Sequence, residues 1–362
     1  MNNKTLILFL FLVSLSCGER ESNWQWGPFI KIDTNNPILE PLKTSLFFCP
    51  VRYEWVNWEF KDVFNPAAIN RNDTTFLIYR AEDTIGIYNG TSRLGLAFSM
   101  DGVEFERLPQ PVFFPDSNEM VMYEWEGGVE DPRIVQREDG LYVMTYTAYD
   151  GTTARLCLAS SSDLKNWMRH GLVLGDDFKD TWSKSGAIVT SEENGIITAK
   201  RIDGKYWMYW GDLNIHASTS EDLISWDPVV DSSGELVTVF GPRTGYFDSR
   251  LVEPGPPPIL TEQGILMLYN SMNAEEYGDP GLPPGTYAAG QILLDPADPL
   301  RVLSRSESYF IKPEKSYELT GQVNQVCFIE GLVKKNDRWL VYYGTADSKI
   351  AVAYYADHQE SE

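Results

Sequence analysis

The sequence is poor in residues that form disulfides or bind metals. Its 362 residues include 4 cysteines and 3 histidines. Beyond Cys17, the cysteines form an odd set at wide spacing, with no Cys-x-x-Cys pair: Cys49, Cys157 and Cys327. The histidines are equally scattered: His170, His216 and His358. Neither a disulfide framework nor a zinc site is therefore indicated, and no cofactor is implied.

Positive charge is also scarce. The chain has 30 Lys and Arg against 52 Asp and Glu, which gives a formal net charge of -22. Nucleic acids and anionic membrane surfaces would be repelled, so a neutral partner fits better. Aromatic residues make up 13% of the chain. Such rings line carbohydrate-binding clefts, although β-rich folds favour them as well.

One apolar run, residues 5–15, stands at the N-terminus. It is too short to span a bilayer and has the length of a secretory signal core. The run ends at Leu15-Ser16-Cys17-Gly18, which resembles a bacterial lipobox. We therefore expect a lipoprotein signal peptide over residues 1–16, lipidation of Cys17, a tether over residues 17–42 and a location in the cell envelope. The alternative is an ordinary signal peptide with an incidental cysteine.

Short runs of β-branched and aromatic residues recur about every 60 residues and predict strands. There are five: 75–79, 141–146, 206–210, 265–269 and 339–343. A second pattern, in which an Asp opens a turn and an aromatic follows four residues later, accompanies three of them: Asp101 with Phe105, Asp163 with Trp167, and Asp222 with Trp226. This period in an all-β chain is typical of a β-propeller. We predict a five-bladed β-propeller over residues 43–362, with a surface loop at 279–285.

Residues 126–134 place two adjacent carboxylates, Glu130 and Asp131, between a Gly pair and a Pro. Glycine permits a close backbone approach to a ligand, and Pro132 restricts the conformation of the residue before it. A carboxylate at the mouth of a strand is a useful place for an acid catalyst. The alternative is a hairpin whose acids face water.

Five motifs together resemble glycoside hydrolase family 130 in order and spacing over residues 45–356. They are Phe64-Asn65-Pro66-Ala67-Ala68, Tyr79-Arg80-Ala81-Glu82-Asp83, Gly128-Val129-Glu130-Asp131-Pro132-Arg133-Ile134, Val252-Glu253-Pro254-Gly255-Pro256-Pro257-Pro258-Ile259 and Tyr343-Gly344-Thr345-Ala346-Asp347. The resemblance implies a five-bladed propeller that acts on β-mannosides by phosphorolysis or by hydrolysis. Each motif alone is weak, whereas five in register are specific.

The resemblance also implies roles for individual residues. Asp131 is the expected general acid, and three residues are expected to hold the mannosyl unit: Asn65, Arg80 and Asp347. Asp83 belongs to the same motif as Arg80 and is a further candidate for sugar binding. The alternative for Arg80 is a salt bridge with Glu82 or Asp83. Three residues after the second strand run could line the cleft or simply pack: Tyr146, Tyr149 and Asp150.

Two positions separate the family's phosphorylases from its hydrolases. The family's phosphorylases resemble one another in carrying cations at both positions. This chain has acids there, in Trp210-Gly211-Asp212 and Glu253-Pro254-Gly255. A carboxylate about 4 Å from phosphate would repel it by about 4 kcal/mol at an effective dielectric near 20, or roughly 1 in water. An inverting glycosidase instead needs a second carboxylate to activate water. Glu253 is the first choice for this base and Asp212 is the second. The alternative is that both acids have a structural role, such as capping turns.

The sequence therefore predicts an inverting β-mannosidase for β-1,2- or β-1,4-linked manno-oligosaccharides. One alternative is a phosphorylase that releases mannose 1-phosphate and binds phosphate through other cations, such as Arg80, Arg155 or Lys200. Another alternative is a surface glycan-binding propeller without catalysis, which would not require three acids on separate repeats.

Overall fold

The computed structural model describes residues 24–356, and these form strands and turns with very little helix. The predicted signal peptide, Cys17 and the first part of the predicted tether lie outside the described residues. None of the helices in this part of the chain is long and apolar enough to cross a membrane.

Twenty-six strands follow one another along the described chain. Those of the first half are β1 Ile30–Lys31, β2 Leu46–Cys49, β3 Glu54–Asn57, β4 Asp62–Arg71, β5 Thr74–Glu82, β6 Ser92–Ser99, β7 Glu106–Arg107, β8 Gly128–Gln136, β9 Tyr142–Tyr149, β10 Ala154–Ser161 and β11 Met168–Leu172. Those of the second half are β12 Ala187–Ile188, β13 Thr190–Glu193, β14 Ile196–Ala199, β15 Arg201–Ile202, β16 Lys205–Trp210, β17 His216–Ser220, β18 Asp227–Pro228, β19 Leu251–Pro254, β20 Ile259–Leu260, β21 Ile265–Met272, β22 Tyr287–Asp295, β23 Asp298–Arg305, β24 Cys327–Lys335, β25 Arg338–Thr345 and β26 Lys349–Ala356. The helical segments are α1 Val121–Glu124, α2 Ser316–Leu319 and a single 3₁₀ turn, Asp176–Phe178.

Antiparallel pairing groups most strands into five units, four of four strands and one of five. The first unit is β4 to β7, the second β8 to β11, and the third β12 with β16 to β18. In the fourth, β19 and β20 both pair with β21, which leads to β22 and β23; the fifth is β24, β25, β26 and β1. This all-β, propeller-like architecture agrees with the predicted class. We call β4, β8, β12, β19 and β24 the leading strands.

The five predicted strand runs coincide with β5, β9, β16, β21 and β25, the strands next to the leading strands. These strands are covered on both faces, and their burial is almost continuous. A strand buried on both sides has an unbroken apolar sequence, which explains why these runs were the clearest signal.

The fold begins earlier than the predicted tether boundary. Ile30 pairs with Tyr354 of the last strand, so the N-terminal segment completes the fifth unit. The Trp26 ring lies 4.5 Å from that of Trp339, centroid to centroid. The assignment of residues 17–42 as a tether is thus wrong for its second half, because aromatic burial outweighs the polar, proline-containing composition of the segment.

The repeated Asp turns have the geometry that the sequence predicts. The Oδ1 atoms of Asp101, Asp163 and Asp222 each accept hydrogen bonds of 2.8 Å from the backbone amides two and three residues ahead. The Trp167 and Trp226 indoles donate to a backbone carbonyl inside the same turn, at 3.2 and 3.1 Å. The repeat is therefore a turn that returns the chain between the third and fourth strands of a unit.

A buried guanidinium ties three leading strands together. Arg133 of β8 donates to Glu330 Oε1 of β24 at 3.1 Å. Its other nitrogens donate to the carbonyl oxygens of Pro254 and Gly255, at 2.7 and 2.9 Å. The Arg133 and Glu330 side chains are 1% and 0% exposed. A guanidinium in such a place needs every one of these partners, so Arg133 fastens the second, fourth and fifth units where they meet.

Replacing Arg133 by methionine is expected to destabilise the protein by about 3–5 kcal/mol, because Glu330 and two carbonyls lose a buried partner. Chemical denaturation measures this change. Arg137→Met is the matched control, since Arg137 pairs with an exposed Asp139 just beyond the same strand and should change stability by about 0–1 kcal/mol. Equal effects of the two substitutions would contradict the role given to Arg133.

Candidate active site

The leading strands β4 and β8 carry their polar residues at equivalent irregular points. β-Bulges interrupt the pairing at Asn65 and Asp131, and both residues have a positive φ of 46°. Asn and Asp tolerate this conformation better than other residues, and a bulge redirects the side chain. The Asn65 amide accordingly donates to Asp131 Oδ1 at 2.9 Å. Motifs far apart in sequence thus meet at one point.

Arg80 gathers three carboxylates around this point. Its Nη1 lies 3.2 Å from Asp131 Oδ1, and its Nη2 lies 2.9 Å from Glu130 Oε1 and 2.7 Å from Glu82 Oε1. Arg80 therefore pairs with Glu82, as the alternative interpretation holds, and also contacts the expected acid, while its contact with the mannosyl unit stays a prediction. Asp347 lies within electrostatic reach of Arg80 and Asp131.

Lys184 links the expected acid to the expected base. Its Nζ lies 3.4 Å from Asp131 Oδ2 and 3.4 Å from Glu253 Oε1. The Ser185 hydroxyl also donates to Glu253 Oε1. Asp131 Oδ2 and Glu253 Oε1 are thus at most twice 3.4 Å apart. This upper limit is compatible with the carboxyl separation of about 5–5.5 Å in retaining glycosidases and with the lower end of the about 6.5–9.5 Å in inverting ones.

Asp212 lies at the edge of the same cluster. Its Oδ2 accepts a hydrogen bond of 2.7 Å from the Trp182 indole. Its charge acts on both Lys184 and Glu253. The structure therefore brings Asp131, Glu253 and Asp212 together around a single ammonium group.

The electrostatics divide the acids into two kinds. Burial raises the pKa of Glu253, which Lys184 opposes and Asp212 reinforces. Burial also favours a neutral Asp131, but attraction by Arg80 and Lys184 and the Asn65 hydrogen bond hold its pKa well below the ordinary value.

In two acids beside Asp131, the pKa is shifted in the opposite direction to that of Asp131, as it is in Glu253. Burial raises the pKa of Glu130 to about 7, where the Asp131 charge reinforces it and Arg80 opposes it. Burial raises the pKa of Asp347 to about 7 as well, again with Arg80 opposing and Asp131 reinforcing the shift. In the free protein, a proton in this part of the site therefore resides on Glu130 or Asp347 and not on Asp131.

Three of the predicted site residues are used elsewhere. Tyr146 is fully buried in the core and its hydroxyl donates to Glu124 at 2.9 Å, so it lines no cleft. Asp83 is buried, with its oxygens taken by Arg93 and by loop amides. Asp150 closes a turn through the amides of residues 152 and 153 and pairs with Arg155 at 2.7 Å. For Tyr146 and Asp150 the structure shows the packing alternative that the sequence left open, and for Asp83 it shows local pairing in place of the expected sugar contact.

The sequence reasoning did not identify Lys184 and Ser185. Their signal was the tripeptide Lys184-Ser185-Gly186, which leads directly into β12, the leading strand of the third unit; Asn65-Pro66 and Asp131-Pro132 lie inside the leading strands of their own units. Ser185 shares the positive φ of those residues, at 60°. By contrast, the alternative phosphate ligand Arg155 pairs with Asp150, and Lys200 is exposed between β14 and β15.

A cavity of about 500 Å³ opens at the opposite ends of the leading strands. Asn70 of β4, Gln136 of β8 and Lys334 of β24 belong to its wall, and Asp73 is its one carboxylate. This cavity therefore offers no pair of carboxylates for acid and base catalysis. Within residues 24–356, no group of three or more His, Cys, Asp or Glu side chains is arranged to hold a metal ion.

Comparison with known proteins places this geometry in context. The family model Glyco_hydro_130, described as β-1,4-mannooligosaccharide phosphorylase, matches residues 31–359. Two phosphorylases from Thermoanaerobacter sp. (strain X514) are similar: the 1,2-β-oligomannan phosphorylase is 34% identical over 82% of this chain and 90% of its own, and the β-1,2-mannobiose phosphorylase 31% identical over 88% and 95%.

A solved structure is more similar in sequence than these two phosphorylases. It is described as "The GH130 family of mannoside phosphorylases contains glycoside hydrolases that target beta-1,2 mannosidic linkages in Candida mannan". It is 44% identical and superposes with a TM-score of 0.91 over 94% of this chain and 96% of that chain.

Proposed function

Because the chain belongs to glycoside hydrolase family 130, a family of mannoside-active enzymes, we propose that it is an inverting β-mannosidase built on a five-bladed propeller. The substrates are short β-1,2- or β-1,4-linked manno-oligosaccharides. The observation that carries this proposal is the excess of carboxylates around Lys184.

The proposed mechanism uses the two sides of the Lys184 ammonium. Asp131 protonates the glycosidic oxygen, while Asn65, Arg80 and Asp347 hold the mannosyl unit. Glu253 removes a proton from a water molecule that attacks C1 on the opposite face, and Asp212 helps to orient this water. The C1–O bond to the leaving sugar breaks as the new bond forms, which inverts the anomeric configuration.

The acid needs a proton that the free protein does not place on it. Arg80 and Lys184 keep Asp131 ionised in the free state, whereas Glu130 beside it has a pKa of about 7. Sugar hydroxyls that accept hydrogen bonds from Arg80 and Lys184 would weaken this hold, so that Asp131 receives the proton when the substrate binds. Such changes between the free and bound states are common for catalytic acids.

The charge balance disfavours phosphate as the attacking group. Arg80 already has three carboxylate partners and Lys184 has two. Both cations would have to exchange these partners for an anion, in the presence of the further carboxylates of Asp212 and Asp347. Phosphate needs uncommitted cations to stabilise it, whereas water needs only a base and a hydrogen-bonding partner.

Phosphorolysis is the second candidate. Both curated relatives described above are phosphorylases, and Lys184 is a cation next to both Asp131 and Glu253. Should phosphate displace Glu253 from Lys184, it would lie where the proposed water lies. The similarity to the structure described in terms of hydrolases supports the first candidate instead.

Product analysis distinguishes the two candidates. The protein is incubated with β-1,2-mannobiose and with β-1,4-mannobiose, with and without inorganic phosphate, and the sugars are separated by chromatography. We expect free mannose at a rate that phosphate does not change. Formation of mannose 1-phosphate, or a requirement for phosphate, would establish the phosphorylase.

The pH dependence of kcat/KM is expected to be bell-shaped. The rate should fall as pH rises through about 7, because the proton shared by the acids near Asp131 is then lost. It should also fall on the acidic side, at a pH above the usual glutamate pKa, because Glu253 must be ionised and burial raises its pKa. A constant kcat/KM from about pH 5 to 9 would contradict both assignments.

We also propose that Cys17 carries a lipid that anchors the enzyme in the bacterial cell envelope, as the lipobox-like sequence indicates. Metabolic labelling with a radioactive fatty acid should mark the natural chain and not Cys17→Ser. Labelling of both chains or of neither would refute this proposal.

A further inference from the structure

Three aromatic rings lead away from the carboxylate cluster. Trp182 donates its indole N–H to Asp212, and its ring centroid lies 6.3 Å from that of Tyr149. Tyr149 lies 6.3 Å from Tyr88 in turn. The ring planes meet at 70° and 43°, so the three form a curved wall. We call Trp182, Tyr149 and Tyr88 the aromatic track.

The surrounding backbone makes room for two of these rings. A methyl group on Gly127 would collide with the Tyr149 ring, and one on Gly151 would collide with Tyr88. The Tyr149 hydroxyl also donates to the Gly151 carbonyl at 3.0 Å. Glycine at both places therefore allows the rings to lie directly against the main chain.

The loop that presents Tyr88 is braced at several points. Asp83 Oδ1 accepts from the amides of Ile85 and Thr91, both at 3.0 Å. Glu126, which also pairs with Arg52, accepts from the amide of residue 87 at 3.3 Å. A ring held in this way loses little conformational freedom when a ligand binds. This bracing also gives Asp83 a function other than the sugar contact that the sequence suggested.

Burial decides which part of a sugar chain the track would contact. Asp131 and Glu253 are 3% and 4% exposed, and the Arg133 network lies buried among the leading strands beside them. Trp182 and the Tyr88 ring at the other end of the track are 48% and about 42% exposed. A chain can thus place its end against the acids, while its following units must run outward over the rings.

We propose that the aromatic track is a set of subsites for the leaving-group side of a mannan chain, so that the enzyme acts on the ends of chains longer than a disaccharide. The apolar faces of successive mannosyl rings stack on Trp182, Tyr149 and Tyr88, because aromatic faces favour such contacts. Asp212 and the tyrosine hydroxyls offer polar partners to the sugar hydroxyls. The inference rests on the proposed action on β-mannosides, but not on whether water or phosphate attacks.

The test compares kcat/KM of the Tyr88→Ala variant for substrates of different lengths. Tyr88 is the ring farthest along the track from Asp212, so its loss should spare β-1,2-mannobiose. We expect kcat/KM for the tri- and tetrasaccharide to fall roughly 3- to 10-fold, with a change of less than about 2-fold for the disaccharide. Phosphate is present in every assay and substrate consumption is measured, so either mode of cleavage is detected.

Two further variants separate stacking from disturbance of the loop. Tyr88→Phe keeps the ring and should retain the natural preference for longer chains. Ile87→Ala changes the exposed neighbour in the same loop and should have little effect on any length. The inference is overturned by equal losses at all lengths in Tyr88→Ala, or by the same length-dependent loss in Ile87→Ala. Failure of the natural protein to cleave any β-mannoside would instead refute the proposed function.

Discussion

Asp131→Asn and Glu253→Gln are each expected to lower turnover of a β-mannoside by about 100- to 10,000-fold, which is the range that proton transfer by a positioned side chain contributes. Both substitutions keep the shape of the side chain and remove its ability to exchange a proton. Asn at position 131 has no proton to give to the leaving oxygen, and Gln at position 253 has no charge with which to take one from water. Steady-state kinetics on β-1,2-mannobiose measures the loss.

The matched control is Asp139→Asn, which neutralises an exposed carboxylate that pairs with Arg137 and a loop amide. This variant should keep its full rate. Circular dichroism and the unfolding midpoint of each variant show whether the fold is retained. A folded Asp131→Asn or Glu253→Gln protein with a near-natural rate would remove that residue from the mechanism.

Lys184→Met is expected to move the acidic limb of the pH profile toward higher pH and to reduce the rate near neutrality by about 10-fold or more. The ammonium lies 3.4 Å from Glu253, and its attraction opposes the increase in the pKa of Glu253 that burial causes. Without it, the pKa of Glu253 rises further, and a smaller fraction of Glu253 is ionised to act as the base near neutral pH. Each unit of pKa shift corresponds to about a tenfold smaller ionised fraction in this range.

Lys184→Arg tests whether the charge alone is needed, and it should restore much of the neutral rate. Under phosphorolysis the same Lys184→Met substitution would act differently, because it would raise the KM for phosphate without moving the acidic limb. An unchanged pH profile in Lys184→Met would show that Lys184 does not control Glu253.

The parts of the fold that the sequence predicted are those set by local patterns. Strands covered on both faces have continuous apolar sequences, and the Asp turns satisfy their own backbone within three residues. Strand β1 was not predicted because its two residues form a strand only by pairing with β26, more than three hundred residues later in the sequence.

The same distinction explains the outcome at the site. Asn65, Arg80, Asp131 and Glu253 were identified through family motifs, and Asp212 as a position where the family's phosphorylases carry a cation; the structure brings all five together. Lys184 lies in none of those motifs, and its importance comes from contacts with two other repeats. Asp83 and Tyr146 were assigned to the cleft because a side chain's partner cannot be read from its type; Arg93 and Glu124 occupy their polar atoms.

The attack of a carboxylate-activated water on the face opposite the leaving group is tested most directly by carbon-13 NMR of the first products, which distinguishes the anomers and shows ¹⁸O at C1 as an isotope shift. The enzyme cleaves β-1,2-mannobiose in ¹⁸O-enriched water that also contains phosphate, and the anomeric signals are recorded before mutarotation. Cleavage gives two mannose molecules, and the proposed mechanism predicts that the one with ¹⁸O at C1 first appears as the α anomer. First appearance of the ¹⁸O-labelled mannose as the β anomer, or of mannose 1-phosphate in its place, would contradict it.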